Sequence, residues 1–148
     1  MQRRVVPDIV NQQKIELLSA STTVRDASRN MAERHIGAVL IGQGRRLQGI
    51  FTERDVLTRV VARGLDPETT PLEKVMTRDP DTVGPGDMAL EVLDRMRASG
   101  YRHLPVVEGG EVVAIVSIRD LYAAVKCELE EDLQQREAFM FDTGYGTG

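Results

Sequence analysis

Seven residues, Gly49-Ile50-Phe51-Thr52-Glu53-Arg54-Asp55, return 65 positions later as Ala114-Ile115-Val116-Ser117-Ile118-Arg119-Asp120. Each copy runs small residue, two apolar residues, hydroxyl, variable residue, Arg, Asp. The hydroxyl of Thr52 or Ser117 ends an apolar strand and opens a helix, where it can accept a backbone N–H bond. The start of that helix carries partial positive charge, a place where phosphate can sit. Asp55 and Asp120, three residues on, offer carboxylates that can accept hydrogen bonds from a sugar diol. The same spacing also spells a capping box, whose role is purely structural. The two readings are compatible, because one hydroxyl can cap a helix and face a ligand.

The elements that position these motifs repeat as well. Val5, Val6, Ile9 and Val10 suggest a short helix with Pro7 in its first turn. Ile15 to Leu18 reads as a short strand. Ser21-Thr22-Thr23 starts a helix that keeps Val24, Ala27 and Met31 on one side. Gly37 to Ile41 is a continuous apolar run, short enough to be a strand buried on both faces. Gly42-Gln43-Gly44 turns it back into Leu47 to Phe51, and Thr52 to Val61 is the helix after the motif.

The stretch Gly64 to Pro71 breaks the pattern with Pro, Gly and Thr. The order then returns: a short helix (Leu72 to Met76), a strand (Thr82-Val83), a helix (Met88 to Ala98), a hairpin (Leu104 to Val107 with Val112 to Val116), and a helix from Ser117 to about Gln135. The run Val39 to Ile41 matches Pro105 to Val107 better at 66 positions, which predicts compensating one-residue gaps near the turns. Two β-α-β-β-α units, each too small to bury its own sheet, are expected to pack pseudo-symmetrically as one α+β module. The first repeat spans 5–66, the second 71–127, and 128–148 is a helical extension with a Gly-rich tail.

Composition narrows the partners. A chain of 148 residues, 41% hydrophobic and 28% charged, can bury a core without disulfides. A net charge of −4 argues against a nucleic-acid surface. The single Cys127 cannot form an internal disulfide. No run of about 18 apolar residues is present, so no membrane span is expected, and no apolar signal segment follows Arg3-Arg4. A cytoplasmic protein is the expectation. His35 and His103 have no partner at metal-ligand spacing, and no nucleophile stands beside a histidine, so neither metal nor catalysis is expected.

Together these segments resemble a tandem pair of cystathionine-β-synthase-type (CBS) domains, a Bateman module, over residues 5–127. The resemblance rests on Ile36-Gly37-Ala38-Val39-Leu40-Ile41, Val75-Met76-Thr77, Arg102-His103-Leu104-Pro105-Val106-Val107 and both Thr/Ser-x-Arg-Asp motifs. It implies a regulatory module that binds adenosine-containing ligands (AMP, ADP, ATP, NAD or S-adenosylmethionine) in two clefts between the repeats. Asp55 and Asp120 would then accept the ribose diol, while Thr52 and Ser117 contact phosphate and Arg54 and Arg119 add charge-assisted bonds. The base would slot between Leu17-Leu18 and Ile36-Gly37-Ala38 in one cleft. In the other it would lie between Thr82-Val83 and Tyr101-Arg102-His103.

Two departures mark the second copy. Ala114 replaces Gly49, which predicts slight crowding of the second cleft. Ile118 replaces Glu53, which makes the second cleft the better anion site. Leu121, Val125, Leu129 and Leu133 form a stripe every four residues, expected either to pack on the module itself or to form a homodimer seam. Phe139-Met140-Phe141 is expected to dock on a partner subunit, and Gly144 to Gly148 to be disordered. Output is expected to pass through an effector protein. The alternative is an interaction dimer whose clefts are vestigial.

Overall fold

The run Ala38-Val39-Leu40-Ile41 has no polar side chain to offer water, so both of its faces require cover. The computed structural model, which describes residues 3–11 and 13–140, shows how they are covered. Its elements are β1 (Leu17–Leu18), α1 (Val24–Arg34), β2 (Ala38–Gln43), β3 (Arg46–Thr52) and α2 (Glu53–Asp55, continued as wider turns over Val56–Val61). The second repeat supplies β4 (Thr77–Arg78), α3 (Ala89–Ser99), β5 (His103–Glu108), β6 (Glu111–Ser117) and α4 (Ile118–Met140). One sheet has the order β1-β2-β3-β4, and the other is the β5-β6 hairpin.

Val39 and Ile41 turn to one side of β2 and pack with Val24, Ala27 and Met31 of α1, Phe51 of β3 and Val60 beyond α2. Ala38 and Leu40 turn to the other side and meet Ile50 and Val112, joining the two sheets face to face. A backbone bond from Val112 N to Arg45 O (2.9 Å) ties the sheets together. The far face of the second sheet carries its own core, where Leu104, Val106, Ala114 and Val116 pack against Val92, Leu93 and Met96 of α3 and Leu121 of α4. Helices therefore cover the outside of each sheet, and the two sheets cover each other. This is an α+β fold of two repeats.

The first residues of each repeat cross over. Val5 and Val10 are buried in the second core, whereas Leu72, Val75 and Met76 are buried in the first. Val5 N donates to Asp87 O and Ala89 N to Arg3 O, while Leu72 N donates to Thr22 O and Val24 N to Thr70 O. The sequence pattern alone does not reveal this exchange. The expected short helix is a single wide turn over Val5–Ile9, closed by Val10 N on Val5 O at 3.0 Å, with Val6 extended inside it.

Strand pairing corrects the expected offset of 66. Leu18 pairs with Ile41 as Val83 bridges Val106, and Ala38 pairs with Thr52 as His103 pairs with Ser117, all at 65. Both hairpins also shift register at equivalent places, Ile41/Gly42 and Val106/Val107. The better match at 66 arose because neighbouring residues of a doubly buried strand are all apolar, which erases the alternation that fixes register. Thr82-Val83 is not a full strand. It makes one parallel bridge, with Val83 N on Pro105 O and Val107 N on Val83 O.

Beside β3 the two halves differ. Gly49 and Ile50 pair with the backbone of β4. At the equivalent Ile115, the side-chain amide of Gln13 substitutes for a strand: Ile115 N donates to Gln13 Oε1 (2.9 Å), and Gln13 Nε2 donates to Ile115 O (3.1 Å). α4 continues past the module to Met140, five residues beyond the expected end. Phe141 and the Gly-rich tail lie outside the described residues.

Candidate ligand-binding clefts

Each motif closes on itself before it meets anything else. Thr52 Oγ1 accepts from Asp55 N (3.2 Å) and Asp55 Oδ2 accepts from Thr52 N (2.9 Å). Ser117 Oγ accepts from Asp120 N (3.2 Å) and Asp120 Oδ2 accepts from Ser117 N (3.1 Å). These are two reciprocal capping boxes. The first residue of each helix is also anchored, Glu53 N donating to Gly37 O (2.9 Å) and Ile118 N to Arg102 O (2.8 Å).

Capping occupies only one oxygen of each carboxylate, and the two halves treat the second differently. Asp55 Oδ1 lies 3.5 Å from Nε of Arg59, one helical turn on. The residue one turn after Asp120 is Ala124, which offers no cation, and Asp120 is exposed where Asp55 is half-buried.

Two clefts lie between the repeats. The first, about 460 Å³, sets Thr52, Arg54 and Asp55 opposite Tyr101, Arg102 and His103, with Thr77, Pro80 and Asp81 along its rim. The second, about 680 Å³, sets Ser117, Arg119 and Asp120 opposite Ile36, Gly37 and Ala38, with Lys14, Ile15, Glu16 and Arg34 at its edge. In each cleft the motif of one repeat faces the strand-leading segment of the other. Volumes in this range suit a small organic ligand.

Four expected contacts are elsewhere. Leu18 packs against the first core, Val83 is buried in the second, and the Thr82 carbonyl accepts from Arg95 Nη2 at 3.3 Å. Leu17 packs between the sheets. Strand pairing holds these residues in the sheet layer, so the residues just before them, Ile15-Glu16 and Pro80-Asp81, line the clefts instead. Their matching 65-residue spacing was a usable signal. Ala114 does not crowd the second cleft either: it is 3% exposed, within the second core. Glycine is required at position 49 for another reason, since a Cβ there would stand 2.8 Å from the Thr77 carbonyl of β4.

Four residues, Gly37, Glu53, Arg102 and His103, line both clefts. A Cβ on Gly37 would lie 3.0 Å from Glu53 Oε1 and 3.3 Å from His103 Nε2, so carboxylate and imidazole share the space over that glycine. Burial lowers the His103 pKa below the ordinary histidine value, against the opposing pull of Glu53 and Asp120. On the rim of the first cleft, the neighbouring Asp81 carboxylate raises the Tyr101 pKa.

Comparison with known proteins agrees with this geometry. The CBS domain model matches residues 5–62 and again 72–126. The chain belongs to the CBS-domain family. The CBS domain-containing protein CBSCBSPB2 of Arabidopsis thaliana is 45% identical over 123 residues, covering 82% of this chain and 23% of that protein. The chain thus spans under a quarter of that relative's length. A solved protein with CBS domains from Burkholderia ambifaria is 34% identical with a TM-score of 0.76, covering 81% of this chain and 92% of its own. A CBS domain protein from Pyrobaculum aerophilum, solved in complex with AMP, is 28% identical with a TM-score of 0.71, covering 80% and 89%. Among the described residues, no helix of this CBS pair is long and apolar enough to cross a membrane.

Proposed function

We propose that this CBS pair is a regulatory module that binds adenosine-containing nucleotides in its two clefts and passes their occupancy to an effector protein. The observation that carries the reading is the duplicated arrangement of hydroxyl, Arg and Asp at a helix start, each copy facing a cleft walled by the other repeat. The Asp accepts the ribose diol, the helix start with Arg54 or Arg119 receives phosphate, and the base lies toward Tyr101 or Ile36. The AMP complex of the Pyrobaculum protein supports this choice of ligand class. A ligand that touches both repeats binds differently to different packings of the halves, and so shifts their equilibrium. AMP, ATP and NAD are the candidates, and catalysis is no part of this reading.

Leu57 on the α2 segment and Tyr122 on α4 hold equivalent positions, 65 residues apart, and are 62% and 50% exposed. They supply a pseudo-symmetric apolar surface suited to a second copy, and we read the working unit as a cytoplasmic homodimer.

The complete capping boxes favour one competing reading, in which the motifs only hold helices and the module serves as an interaction dimer. Titration calorimetry separates the two. Binding of AMP, ATP or NAD with no more than two molecules per chain supports the sensor. Absence of binding by all three, with bound nucleotide first removed from the protein, favours the interaction module.

A further inference from the structure

The duplicated motifs do not account for the partition between the clefts. His103 belongs to the second repeat and Glu53 to the first, yet both stand over Gly37, and both line both clefts. The charged groups facing His103 are Glu53 from α2, Asp120 from the first turn of α4 and Arg102 beside it. Its strand neighbour Ser117 brings no charge. The partition therefore holds one titratable base whose protonated form is disfavoured by burial and favoured by nearby anions.

Resting on the nucleotide reading above, we propose that His103 selects for ligands carrying an anionic group: a phosphate in either cleft is bound together with a proton on His103. A phosphate adds negative charge beside the imidazole and tips it toward the protonated form. Neutral adenosine lacks that charge and is bound without a proton. The sign of the pH dependence follows by linkage, so that phosphate-bearing ligands bind more tightly as pH falls from 8 toward 6.5. One imidazole serves both clefts, so uptake cannot exceed one proton per chain even when both fill. Glu53 opposes the same anion directly, which makes it the second determinant of the preference.

The test is calorimetry of AMP and of adenosine at pH 7.5 in two buffers of different ionisation enthalpy, on unchanged protein, His103→Gln and Glu53→Gln. AMP phosphate, with its second pKa near 6, is almost fully ionised at that pH. Expected are net proton uptake with AMP and none with adenosine. His103→Gln should abolish the uptake and weaken AMP about tenfold, the loss of one good charge-assisted bond, a larger loss than it causes for adenosine. A melting temperature close to that of the unchanged protein shows the variant is folded. Glu53→Gln should tighten AMP relative to adenosine. Equal AMP and adenosine affinities, or uptake that persists in His103→Gln, would overturn the role of His103 while sparing the nucleotide reading. Failure of both ligands to bind the unchanged protein would overturn both.

Discussion

Replacing each motif aspartate by asparagine should have unequal consequences. Asparagine keeps a carbonyl oxygen for the cap, so each helix start survives and only the charge is lost. Asp120 is exposed and lines the second cleft, with Ala124 one turn on. Hydrogen bonds to a charged partner contribute about 1.5–3 kcal/mol, so Asp120→Asn should weaken adenosine binding in the second cleft about 10- to 150-fold. Asp55 already has Arg59 at 3.5 Å. A diol there shares or displaces a contact of the kind that contributes about 0.2–1 kcal/mol when exposed, which reduces the net loss. Asp55→Asn should therefore cost the first cleft about 1.4- to 5-fold less than Asp120→Asn costs the second. Adenosine is the right probe because it has no phosphate and leaves His103 out of the comparison. Isothermal titration of both variants against unchanged protein reads the difference directly. Equal losses, or a larger loss in Asp55→Asn, would refute the argument that Arg59 makes the clefts unequal.

Other substitutions test the frame that holds the clefts. Gly49→Ala drives a methyl to 2.7 Å from Met76 Sδ and 2.8 Å from the Thr77 carbonyl. Overpacking of this kind costs about 1–3 kcal/mol, a fall of roughly 2–10 °C in melting temperature; no fall would contradict the close approach of β4. Leu121→Ala should cost about 2–5 kcal/mol, because Leu121 is the one fully buried residue of α4. Leu90 of α3, 50% exposed, should tolerate alanine within about 0.5 kcal/mol, and calorimetric melting compares the two. Leu57→Asp combined with Tyr122→Asp should convert a dimer to a monomer by light scattering; an unchanged mass would place the seam elsewhere.

The repeat was legible because Thr52-x-Arg54-Asp55 and Ser117-x-Arg119-Asp120 pair a distinctive order of polar residues with strands rich in β-branched residues. Those features fix local structure, and both helices begin where the hydroxyls said they would. The exchange of leading segments was not legible. Val5-Val6 and Leu72 to Met76 carry the same kind of apolar pattern, and nothing local says which core will take them. Thr82-Val83 looked like a strand on composition, but one bridge to Val106 is all the neighbouring hairpin leaves it. Leu17-Leu18 and Thr82-Val83 lie a residue or two past the segments that line the clefts, because a two-residue strand gives no alternation to separate cleft from core. Asp55 with Arg59 was readable from helical spacing alone. Glu53 meeting His103 was not, since their approach depends on how one repeat packs on the other.

The central claim is that both clefts hold an adenosine ligand through Asp55 and Asp120. Thermal unfolding with AMP, ATP, NAD and S-adenosylmethionine tests it most directly, run on the unchanged protein and on the double variant Asp55→Ala/Asp120→Ala. A ligand at about 100 times its dissociation constant stabilises the fold by about 2.7 kcal/mol, a rise of several degrees for a chain of this size. The account predicts that rise for at least one of the four and its loss in the double variant. No rise with any of them, or a rise that survives removal of both aspartates, would contradict it.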